Sequence, residues 1–151
     1  MESDARRRLI EKALLILDEG KILLAVPLNE FFDGNTDEAS IGVNLPANKH
    51  IGLAGFRRVL FGIRDRPDVQ GVFLELTEIP DPDEEQDDGI WPTACVAFVI
   101  TSAPLDRVGE WAAPLHPREI SEGWCVQPGV KTPLADTGLQ PDMRPVRIWF
   151  L

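Results

Sequence analysis

The stretch VQGVFLELTEIPDPDEEQDDGIWPTACVAFVIT, residues 69–101, divides into an apolar run, an acidic loop and a second apolar run. Read as a hairpin, it supplies the middle of a sheet. Val72, Leu74 and Leu76 alternate with Phe73, Glu75 and Thr77, the period of two expected of a strand with one face more buried than the other. Cys95, Val96, Ala97, Phe98, Val99 and Ile100 follow one another without a polar break, as expected where both faces of a strand are covered. The second strand is therefore predicted to be the more central of the two.

Between these strands, Asp81, Asp83, Glu84, Glu85, Asp87 and Asp88 place six carboxylates in eight residues. Like charges at that density repel and do not pack together, so the segment reads as a solvated loop. It belongs to a wider imbalance. The net charge is −10; residues 1–75 carry 10 basic and 12 acidic side chains, and residues 76–151 carry 5 and 13. A surface of this sign repels phosphate backbones, which argues against nucleic-acid binding through a broad electrostatic footprint and for a basic protein partner.

Length and composition set the other bounds. A chain of 151 residues fits a single domain, residues 1–151, that buries roughly 70% of its unfolded surface without disulfides or metal. Cys95 and Cys125 are the two cysteines, too few and too far apart for a disulfide framework or a zinc knuckle, and they suit a reducing, cytoplasmic home. No apolar run approaches the ~20 residues of a membrane span, and Arg6-Arg7-Arg8 precedes an amphipathic segment instead of a signal-peptide core.

Working outward from the hairpin, Ile10, Ala13, Leu14 and Leu17 fall at helical spacing, predicting a helix over about 4–19 with Ser3 or Asp4 as cap and a solvated arginine cluster at its start. Ile22–Val26 is an unbroken apolar run closed by Pro27 and reads as a second central strand. Ser40–Asn44 could add a short strand. Leu53, Phe56, Leu60 and Ile63 predict a helix from Gly52 to Arg66, stopped by Pro67. After the hairpin, Ser102 and Pro104 open a short helix with Leu105, Val108 and Ala112 on one face. Residues 114–145 show neither period, and a loop that long in a compact domain either is functional or contains a further element. Val146, Ile148 and Phe150 then alternate with Arg147, Trp149 and Leu151 as an edge strand.

Apart from the first helix, the order is strand, helix, strand, strand, helix, strand. That predicts an α+β fold, a ferredoxin-like βαββαβ sheet with an additional N-terminal helix and a long irregular segment before the C-terminal strand. Ile22–Val26 is then expected beside Cys95–Ile100, opposite Val72–Leu76. Two crossover helices cover one sheet face only, so the second face requires the N-terminal helix or another subunit, as in a homodimer.

Asp33-Gly34-Asn35-Thr36-Asp37 opens like a calcium loop, but Glu38 stands where glycine is needed and Asn44 where a bidentate glutamate is needed. A turn in which Asp33 and Asn35 bond their own backbone is the expected reading. His50 and His116 lack partners at ligand spacing, and the chain has no nucleophile or phosphate-cradling motif, so no metal, cofactor or catalytic residue is predicted. Gly52-Leu53-Ala54-Gly55 reads as a site of close helix packing. Trp91 and Trp124 lie in loop-like segments, where aromatics serve as binding anchors.

The segment Asn29–Asn35, with Ser40-Ile41-Gly42, Trp124 and the basic-aromatic C-terminal strand, resembles a family of uncharacterised small acidic bacterial proteins, some of which look like immunity proteins of toxin systems. The resemblance implies a non-catalytic protein that neutralises a partner by stoichiometric binding. The residues assigned to the contact are Asp81, Asp83, Glu84, Glu85, Asp87, Asp88, Trp91 and Trp124. The alternative is a small enzyme or ligand-binding domain using Asp33, Asn35, Asp37 and Glu38.

Overall fold

A computed structural model describes residues 2–18, 25–42, 45–46, 48–78, 91–124 and 139–150. Among these residues, five strands form one antiparallel sheet: β1 (Ala25–Pro27), β2 (Val69–Glu78), β3 (Thr93–Thr101), β4 (Glu119–Glu122) and β5 (Arg144–Trp149). Their order is β1-β2-β3-β5-β4. Four α-helices, α1 (Glu2–Asp18), α2 (Leu28–Phe32), α3 (Gly52–Arg64) and α4 (Leu105–Ala112), accompany it. Among the described residues no helix is long and apolar enough to cross a membrane.

The hairpin holds the centre, as its patterning requires. β2 and β3 pair in antiparallel register, with Val72 opposite Val99 and Leu74 opposite Ala97. Val72, Leu74 and Leu76 are buried, whereas Phe73 and Glu75 on the other face are half-buried; β3 is buried from Ala94 to Thr101. A register shift between Glu75 and Leu76 leaves Cys95 as an extra residue in the ladder, so Ala94 joins the helix-covered cluster and Cys95 the opposite one.

The ferredoxin-like topology does not hold. β1 pairs with β2, Val26 opposite Leu74, and stands at the sheet margin instead of beside β3. The sequence around it explains the position: Pro27 has no N–H to donate and is best placed on an edge. The place expected for β1 is taken by the C-terminal strand, with Ile148 opposite Ala97 and Val146 opposite Val99. β5 is thus an inner strand, covered on its far side by β4, an element lying inside the patternless 114–145 segment. Of the short strand read at Ser40–Asn44, Ile41 makes a parallel bridge to Ala94, and residues 43 and 44 lie outside the described residues.

All four helices pack into one cluster with a single sheet face. Leu9, Ala13, Phe31, Phe56, Leu60, Val108 and Trp111 meet Val26, Leu74, Ala97, Val99, Val146 and Ile148 there. The N-terminal helix therefore does not cover the second face. Its buried positions are Arg6, Leu9, Ile10 and Ala13, with Leu14 exposed, so its inward stripe is rotated slightly from the predicted one, leaving out Leu14 and taking in Leu9 and an arginine expected in solvent. In α4, Val108, Trp111 and Ala112 are buried and Leu105 is exposed. Its N-cap is Pro104, without a side-chain cap from Ser102. On the second sheet face, Ala25, Cys95, Val96 and Phe98 are buried, with Phe73, Trp124 and Trp149 packed against them.

Candidate functional site

The acidic loop proposed from its calcium-like spacing connects α2 to a short 3-10 turn, Glu38–Ser40. Asn35 organises it. Its amide nitrogen donates to the Phe31 carbonyl and the Ser40 hydroxyl, and its side-chain oxygen accepts from Asp37 N–H. Asp37 works outward from there: one carboxylate oxygen accepts from Ala39 N–H at 3.1 Å, capping the turn, and the other accepts from Trp91 N–H at 3.0 Å. Glu38 reaches across to α3 and accepts from Leu53 N–H at 3.0 Å, satisfying one of the donors a helix start leaves open and lying favourably at the positive end of its dipole. Asp33 alone points to solvent, 3.4 Å from Arg57.

Three of the four residues of the alternative site therefore hold the loop to α3 and to the start of β3. Their acceptor oxygens are turned toward backbone N–H groups. A hard cation needs such oxygens to converge on one point, and among the described residues no group of three or more His, Cys, Asp and Glu side chains does so. His50 is committed in the same way: its Nε2 lies 2.8 Å from the Ile41 carbonyl and its Nδ1 accepts from Gly52 N–H at 2.9 Å. This assigns the ring the Nε2–H tautomer and makes it a brace between the Ile41 bridge and α3 instead of a base. Gly55 is packed so closely that a Cβ there would lie 2.8 Å from Ile51, the residue that precedes the same helix. Shallow clefts flank the loop, one of about 270 Å³ bounded by Phe32, Glu38, Leu53 and Arg57 and one of about 230 Å³ bounded by Arg8, Asn29, Glu30 and Asp33.

The proposed contact surface divides differently. Asp81, Asp83, Glu84, Glu85, Asp87 and Asp88 lie outside the described residues. Trp91, expected as an exposed anchor, is fully buried in the main core, and its backbone N–H is held by Asp37. Trp124 is half-buried and lies against Phe98, ring centroids 4.9 Å apart.

One titratable group escaped the sequence reading. Glu75 sits on the second sheet face, one register step from Phe73 and Phe98 and opposite Ala25 and Val96. Burial raises its carboxyl above the ordinary value of 4.5, and Arg147 on β5 partly opposes the shift. A raised folded value means the folded state holds the proton more tightly than the unfolded chain. The contribution of Glu75 to stability is then greatest at low pH and declines as pH rises from 4.5 through the raised value. Glu75→Gln is expected to raise the urea midpoint at about pH 7 and to change it little at about pH 4. A lower midpoint at neutral pH would mean that attraction to Arg147 outweighs desolvation.

No curated protein and no solved structure matches this chain. The family model of the Uncharacterized protein YfbO family matches residues 4–148, and the chain belongs to that family.

Proposed function

We propose that this chain is a non-catalytic binding protein of the immunity type, which neutralises a basic partner protein by stoichiometric contact through its acidic half. The observation that carries the reading is the use made of the acidic 33–38 loop: Asn35, Asp37 and Glu38 are engaged in holding the scaffold together, which weakens the case for a catalytic loop. In the sequence, the carboxylates of Asp81–Asp88 lie between the two long paired strands, β2 and β3. Complementary charge acts mainly on encounter.

The test is association with the product of the gene immediately upstream, where a toxin of such a pair would be encoded. The expected result is a one-to-one complex whose on-rate falls steeply with salt. Replacing Asp83, Glu84, Glu85, Asp87 and Asp88 together with serine should lower that on-rate by about tenfold or more while changing the off-rate less. Association that survives this change would move the interface to the Asn29–Asn44 segment.

A further inference from the structure

We propose that the arginine flank of α3 is a second docking surface, which takes a short acidic segment of another protein, with Arg57 and Arg64 each binding one of its carboxylates. The inference goes beyond the binding reading above and rests on different residues.

The flank follows from how α3 is buried. Leu53, Phe56, Leu60 and Ile63 face the core, which sets Arg57, Phe61 and Arg64 at i, i+4 and i+7 along one side, with Arg58 exposed further round the helix. Positive charge is concentrated there. From Gly52 to Arg66 the chain carries four arginines and one carboxylate, Asp65, although its net charge is −10. Arg57 and Arg64 lie over the Phe61 ring, 5.2 and 4.2 Å from its centroid, so the two guanidiniums stand within about 10 Å of each other on a shared support. Stacking fixes the plane of a guanidinium while leaving its N–H edge open, and that edge matches a carboxylate.

Each of these two arginines already faces a carboxylate of its own chain. Asp33 Oδ1 lies 3.4 Å from Arg57 Nη2, and Asp65 Oδ1 lies 3.3 Å from Arg64 Nη2. Both contacts use one carboxylate oxygen, are long for a charge-assisted bond, and involve aspartates whose side chains are 62% and 68% exposed. Exposed pairs of that kind hold weakly, so an incoming carboxylate can take their place. Spacing and charge then select the partner. Side chains two apart on an extended segment lie about 7 Å from each other, and those four apart on a helix about 6 Å, so an acidic pair on either reaches both guanidiniums. At about 0.1 M salt the screening length is ~10 Å, so a short segment bound on the flank is largely screened from the rest of a negative molecule. A long polyanion such as nucleic acid would have to lie along that negative remainder as well.

Fluorescence anisotropy of a labelled peptide, ten residues of alternating glutamate and serine, tests this by titration with the full chain at about 0.1 M salt. Saturable one-to-one binding is expected. Arg57→Ser together with Arg64→Ser should weaken it by about tenfold or more. Arg57→Lys with Arg64→Lys keeps the charge but loses the planar fork and its stacking, and should weaken it nearly as much. Asp33→Ala frees Arg57 and should tighten binding by about threefold, whereas Glu119→Ala on the marginal strand β4, which changes the net charge equally, should not. None of these four side chains is buried, so loss of the fold does not imitate the result. No binding by the wild-type chain, a lysine variant as tight as wild type, or an affinity unmoved by Asp33→Ala would each overturn the proposal. So would a six-nucleotide oligothymidylate, with its five phosphates, that binds at least as tightly as the peptide. The serine changes in the Asp81–Asp88 run leave this flank intact, so failure here and failure of the basic-partner reading are separate results.

Discussion

Asp37→Ala should lower the unfolding free energy by about 3 kcal/mol, measured as a shift of the urea midpoint at constant slope. The carboxylate accepts from two backbone donors at once, Ala39 N–H at the start of the 3-10 turn and Trp91 N–H at the entry to β3. Losing a cap costs about 1 kcal/mol. Leaving the Trp91 N–H without its acceptor, beside a fully buried indole, costs about 1–3 kcal/mol more. Asp37→Asn keeps one acceptor oxygen and should lose about half as much. Asp33→Ala is the contrasting case. Its side chain is 62% exposed and its partner, Arg57, is 3.4 Å away and 53% exposed, so the change should stay within about 0.5 kcal/mol. Equal effects at the two positions would mean that the loop is not tied to the hairpin through Asp37.

The contrast between Asp33 and Asp37 marks how far the sequence could be read. Spacing predicted a turn in which Asp33 and Asn35 bond their own backbone; Asn35 does accept from Asp37 N–H, but the second such side chain is Asp37, which accepts from Ala39 N–H, while Asp33 points to solvent. Spacing could not reveal that Asp37 spans 54 residues to Trp91, because nothing local distinguishes a donor that far along the chain. The same limit governs the sheet. Alternation in β2 and the unbroken run in β3 announced which strands pair and which is central. Strand order depended instead on Pro27, whose missing N–H favours the margin, and on β4, whose four residues Glu-Ile-Ser-Glu are too short and polar to show a period. With β4 unseen, β5 looked like an edge. α2 was hidden for a related reason: five residues give barely more than one helical turn, and only the adjacent buried phenylalanines, Phe31 and Phe32, signalled that the segment enters the core. Trp91 was misread because the flanking composition suggested a loop, yet a tryptophan's burial is decided by the room the fold leaves for it.

Gly42→Ala should be as damaging as the loss of Asp37, about 2–4 kcal/mol, through two independent causes. The residue has φ of 64°, the left-handed region where a Cβ costs roughly 1 kcal/mol. In addition, a Cβ built there would lie 2.8 Å from the tip of Phe56. That ring cannot retreat easily, for it is fully buried and lies between His50 and Phe150, at centroid distances of 5.2 and 5.3 Å. Overpacking a core in this way costs about 1–3 kcal/mol. The two causes separate in a double-mutant cycle. Phe56→Leu removes the ring tip, so the pair of changes should cost less than the sum of the two, while the backbone contribution persists. Gly62→Ala, on the exposed side of α3 with nothing near its Cβ, should instead stabilise by up to about 1 kcal/mol. Strict additivity of Gly42→Ala and Phe56→Leu would show that the ring does not pack against the glycine. The approach of Gly42 to α3, and with it the bridge from Ile41 to Ala94, would then need a different cause.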